Sequence, residues 1–137
     1  MRSRLLHTAL IALVGLVALR SAAVDAHHSF AAEFDANKPV TLKGVVTQID
    51  WANPHVWFYI NVKDEDGRMA RWACEMGAPH QLQQRGWLRD TMKVGDTVTV
   101  VGSLARDGAK RANARLVTTA DGKTLGAASS GDPTTRQ

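Results

Sequence analysis

The clearest pattern in the chain lies between residues 56 and 63, where Val56, Phe58, Ile60 and Val62 alternate with Trp57, Tyr59, Asn61 and Lys63. A period of two puts the first set on one face of a β-strand and the second on the other. Upstream, Val40 to Asp50 is rich in Val, Thr and Ile and carries Gly44 in its interior, which predicts a long first strand with a bulge or tight bend at the glycine. Trp51-Ala52-Asn53-Pro54 ends that run, because a proline cannot donate to a ladder and holds the residue before it extended or in a turn.

Further on, Asp64-Glu65-Asp66-Gly67 reads as a hairpin turn and Arg68 to Met76 as a third strand. Residues 78–86 have a proline near the start, helix formers within and a glycine at the end, which predicts a short helix. Lys93-Val94-Gly95-Asp96 is a turn, Thr97 to Leu104 a strand, Arg106-Asp107-Gly108 a second hairpin turn, and Arg111 to Thr119 the last strand. Three strands, one helix and two strands is the order of the OB-fold, a five-stranded Greek-key barrel with its helix between strands three and four. The expectation is therefore a mostly β protein with an OB-like domain over residues 39–125, preceded by an N-terminal arm over 27–38 with Phe30 and Phe34 as anchors. The Ser-, Thr- and Gly-rich stretch 126–137 reads as a disordered tail.

The other apolar run, Leu5 to Leu19, follows Arg2 and Arg4 and leads into small residues up to Ala26. That is the layout of a secretory signal peptide, expected over residues 1–26, with Val24-Asp25-Ala26 as the cleavage motif. The run falls short of the roughly 20 residues that span a bilayer, so no membrane span is expected after processing. Cleavage there would leave 111 of the 137 residues, and loss of Arg2, Arg4, Arg20 and Asp25 would lower the net charge from +4 to +2. A chain of that size suits one domain. The weak, interspersed charge offers no footprint for nucleic acid. Cys74 is the single cysteine, so no internal disulfide can form in the expected periplasmic or secreted location.

Four of the five histidines would survive processing: His27, His28, His55 and His80. A new N-terminus at His27 would combine an α-amine with an imidazole, and His28 and His55 would extend a nitrogen-rich set that suits copper, nickel or zinc. His27, His28 and His55 are therefore the candidate metal ligands, with copper the candidate ion. The competing assignment for His55 is a hydrogen bond within the turn after Pro54. Cys74-Glu75-Met76 with His80 suggests a thiolate–thioether site, but alternation places Cys74 with Trp72 and Met76 on one face and Glu75 on the other, so Cys74 reads as core material. Glu75 as a general base or ligand would take Asp50 or Asp35 as its partner, and no spacing fixes them together. No nucleophile elbow, phosphate-binding loop or zinc-protease motif occurs, and a non-enzymatic binding module is the expectation. Trp57 and Tyr59, on the face of strand two away from Phe58, form a candidate binding surface for a partner protein or small ligand.

His27-His28-Ser29-Phe30, Thr41-Leu42-Lys43-Gly44-Val45-Val46, Asn53-Pro54-His55-Val56-Trp57, Arg85-Gly86-Trp87 and Lys93-Val94-Gly95-Asp96 together resemble an uncharacterised family of small exported bacterial proteins, a domain of unknown function. The likeness extends over nearly all of the mature chain. It implies an exported β domain and assigns no role to any residue.

Overall fold

A computed structural model describes residues 30–132 of the protein. After a helical turn at residues 30–33 the chain forms β1 (Phe34–Asp50), β2 (Trp57–Lys63), β3 (Met69–Glu75), a short helix α1 (Pro79–Gln84), β4 (Thr97–Ala105), β5 (Arg111–Thr118) and β6 (Thr124–Gly126). The structure is mostly β, with one six-stranded sheet in the order β3-β2-β1-β4-β5-β6. A parallel pairing of β3 with β5 joins Ala73 to Arg111, Cys74 to Ala112 and Glu75 to Asn113, so the pairings of β1 to β5 run in a ring. All the other pairings are antiparallel.

The length of β1 is what lets the ring form. Its first part pairs with β4 and its second with β2, and Gly44 and Val45 take part in both pairings. At Gly44 the neighbouring backbone comes so close that an added Cβ would lie 2.5 Å from the Asn61 carbonyl oxygen. The expected bulge falls elsewhere, at the register shift between Val46 and Gln48, and the glycine serves close strand approach instead. The alternating residues of β2 behave as their pattern dictates: Val56, Phe58 and Ile60 are buried and Trp57 and Tyr59 half-buried. Phe58 and Ile60 pack with Cys74, Leu82, Trp87, Val98, Val100 and Val117 in one apolar core. The core Trp87 also donates its indole N–H to the Gly126 carbonyl at 2.9 Å, as a buried indole requires.

The helix follows the predicted proline-to-glycine span. The Gln81 side chain accepts the Ala78 N–H at 3.1 Å, and the chain leaves through Gly86 at φ +87°. No helix among the described residues is long and apolar enough to cross a membrane.

Three expectations need correction. The first strand begins at Phe34, inside the stretch read as an arm, because Phe34 pairs with Ala105 across a register shift that accommodates residues 35–38. Phe34 is buried, stacks on Phe30 at 5.9 Å and lies outside the main core. A sixth strand is present, too short for alternation to betray it, with Leu125 buried. The expected disordered tail is not what residues 126–132 form. Ala127, Ala128 and Ser129 are buried; Ala127 N–H donates to the Arg115 carbonyl, and its own carbonyl accepts Gly77 N–H, both at 2.8 Å. Small residues there are a packing requirement: a Cβ on Gly77 would collide with Ala128, and one on Gly131 with the Phe30 ring. Residues 127–131 thus form a strap over the sheet. The expected signal peptide (1–26), His27, His28 and residues 133–137 lie outside the described residues.

Candidate polar site at His55 and Glu75

Alternation along β3 sends Cys74 into the core and Glu75 to the opposite face, where a carboxylate would ordinarily meet water. Glu75 is nevertheless only 6% exposed. Its cross-strand partners share its face: Trp57 on β2 and Asn113 on β5. Asn113 (1% exposed) donates its amide to Glu75 Oε2 at 3.3 Å, and His55, in the segment between β1 and β2, places Nδ1 on Glu75 Oε1. The peptide before it, Asn53-Pro54, is cis.

The chain of hydrogen bonds continues into the strap. Ser129 donates its hydroxyl to Asn113 Oδ1 and accepts the Gly131 N–H at 3.1 Å. Gly131 in turn abuts Phe30, so the N-terminal helical turn and the strap meet at this end of the network. The directions of these bonds are consistent from end to end. An ionised carboxylate only accepts, so Asn113 and His55 must both donate to Glu75, and the imidazole proton sits on Nδ1. With Nδ1 donating to Glu75, the neutral form of the ring has its lone pair on Nε2.

Burial pushes the Glu75 carboxyl above the usual carboxylate range; the charge of His55 and the bonds from Asn113 and His55 oppose that rise, and the nearby Glu33 carboxylate adds to it. Glu75 is therefore a buried acid retained with partners, the condition under which burial of such a group is tolerated. His55, with a side chain 34% exposed, keeps its ring open to solvent. A histidine whose Nδ1–H is fixed by a carboxylate and whose Nε2 is free to accept is the arrangement used to hold metal ions and to move protons.

The other candidates separate. Cys74 and Met76 lie in the apolar core, where burial pushes the thiol up to about 12, whereas His80 is exposed on α1. Cys74 is core material, as the alternation of β3 predicts, and a thiol held in its protonated form is a poor ligand. Asp50 accepts from Gln48, and Asp35 lies 3.6 Å from Arg106, so neither is the partner found at Glu75. The Arg71 guanidinium covers Tyr59, 4.6 Å from its ring centroid, and also bonds Gln48 at 2.7 Å. Trp57 stands beside Glu75, so the expected aromatic surface adjoins the polar cluster. Among the described residues no group of three or more His, Cys, Asp or Glu side chains converges as a metal cage.

Asn113 and Ser129 escaped the sequence reading. The signal for Asn113 is its place between Ala112 and Ala114 in a strand, where asparagine is disfavoured unless its amide has partners. Ser129 sits in a composition that reads as disordered and offers no such signal.

No curated protein matches the chain. Residues 14–114 match a family of unknown function (DUF6152), an interval that includes His55, Glu75 and Asn113, and the chain belongs to that family.

Proposed function

We propose that the protein is an exported, non-enzymatic binding module that holds a transition-metal ion, with His55 Nε2 as the ligand from the folded domain and His27 and His28 as the further nitrogen donors. The observation that carries this reading is the Glu75 carboxylate at His55 Nδ1, since metal-bound histidines characteristically donate their other N–H to such a group. Phe30, two residues after His28, packs against Gly131 at the Ser129 end of the same network, which ties the start of the described chain to this cluster. An all-nitrogen set favours copper(II) over the hard cations that prefer oxygen.

The ring of pairings β1-β2-β3-β5-β4, with α1 between β3 and β4 and a parallel β3–β5 contact, supports reading the domain as an OB-fold, a Greek-key barrel. A second functional reading, an interaction module for a partner protein, is supported by Trp57 and Tyr59 sharing the outer face of β2.

Calorimetric titration of Cu(II) into the chain beginning at His27 tests the metal reading. Binding of one equivalent, weakened at least tenfold in His55→Ala and unchanged in Trp57→Ala, is the expected result. Absence of binding by the unsubstituted chain overturns it and leaves the aromatic face as the working surface.

A further inference from the structure

The turn between β4 and β5 meets the helical turn at residues 30–33, because Phe34 pairs with Ala105 and the Arg106 N–H donates to the Glu33 carbonyl at 2.9 Å. Between them lies a cleft of about 390 Å³ lined by Ala32, Glu33, Arg106, Asp107 and Arg111, a volume within the range of small-molecule sites. His55 does not line it.

Three of the charged side chains are held in place. Arg106 donates its Nε–H to the Ala31 carbonyl at 2.7 Å, which leaves its Nη groups free of that bond. Asp107 accepts the Ala109 N–H at 3.0 Å through one oxygen and Arg111 Nη2 at 2.9 Å through the other. The Arg111 guanidinium also lies over Phe34, 6.0 Å from the ring centroid. The remaining pairs are loose: Arg111 Nη1 is 3.7 Å from Glu33 Oε2, and Arg106 Nη1 is 3.6 Å from Asp35 Oδ2. Both separations exceed the roughly 3.2 Å reach of an N–H···O hydrogen bond. Among the described residues, each guanidinium therefore keeps an Nη1 donor that its carboxylate neighbour does not satisfy.

The two guanidiniums and two carboxylates of the lining cancel in charge. A lone anion drawn to the arginines meets Glu33 and Asp107, and a lone cation meets both arginines. A molecule carrying both charges gains from each, and the 3.7 Å between Glu33 and Arg111 is of the same order as the charge spacing in an α-amino acid. The geometry points to a binding site for a small zwitterion of the α-amino-acid type, its carboxylate taken by Arg106 and Arg111 and its ammonium by Glu33. Charge-assisted hydrogen bonds of this kind are the stronger class. The four side chains are 33% to 57% exposed, so solvent screens them and the affinity is modest.

The test is an NMR titration of the chain beginning at His27 with L-alanine, run beside propionate and ethylammonium, which each carry one of its charges. Saturable shifts of the Ala32, Glu33, Asp107 and Arg111 amides are expected with L-alanine, with affinity at least tenfold weaker for either single-charge probe. Glu33→Gln and Arg106→Gln should each weaken L-alanine at least tenfold. The comparison of probes needs no substitution, so it decides even where a variant fails to fold. Absence of saturable shifts with L-alanine overturns the site, and propionate binding as tightly as L-alanine overturns its selectivity for a zwitterion. An unchanged affinity in Glu33→Gln overturns the role given to that carboxylate.

Discussion

Cys74 and Glu75 are neighbours on β3, and both are buried, on opposite faces of one sheet. The face that holds Cys74 is closed by the ring itself: Phe58, Ile60, Val98, Val100 and Val117 come from strands whose alternation aims them inward. The face that holds Glu75 is closed by segments at the two ends of the described chain, the strap and the turn at residues 30–33. The inner region is apolar, continuous and fixed by period; the outer one is small, polar and fixed by directed hydrogen bonds. Burial by a sheet's own curvature needs only hydrophobic side chains, while burial by an added strap demands that each polar group beneath it find a partner.

The largest effect separating the two regions is expected inside. Phe58→Ala removes a fully buried ring from the packed interior and should cost about 3–5 kcal/mol, measured as a fall in the urea midpoint. Asn113→Ala leaves Glu75 Oε2 without its amide donor and should cost about 1–3 kcal/mol in the same measurement. A cost near zero there would show the outer face to be wet, and the contrast between the regions would fail. The smallest effect is confined to alkaline solution. An unfolded thiol titrates near about 8.5, whereas the folded Cys74 holds its proton up to about 12. Native Cys74 therefore contributes stability that is fully present below the unfolded value and is lost as pH rises toward 12. The melting temperature should fall more steeply with pH above 9 in the unsubstituted chain than in Cys74→Ala.

The same division decides what was legible in the sequence. The inner region was readable because its signals are periodic: the alternation of Val56 to Val62, the turn glycine Gly67 at φ +80°, and the Pro79-to-Gly86 bracket around α1. The placement of Cys74 in the core and Glu75 on the other face also followed from alternation. What could not be read was that Glu75 would be covered, because Ala127, Ala128 and Ser129 belong to a low-complexity stretch whose small side chains look like the absence of structure. Their smallness is set by Gly77 and by the Asn113 amide, partners remote in sequence. Of the candidate ligands, His55 gained a physical context through Glu75, and Asn113 entered only through the fold.

The parallel seam between β3 and β5 has a kinetic consequence. It is three residue pairs long, and its Glu75–Asn113 bond spans 38 positions of sequence, whereas β2 and β3 are joined by a short hairpin. Contacts of short range form early and long loops close late, because the entropy of closure must be met before the contact rewards it. The seam therefore zips after the β2–β3 hairpin. Until it does, β3 and β5 present open edges to other chains, and nascent molecules at high concentration would exchange strands across that gap.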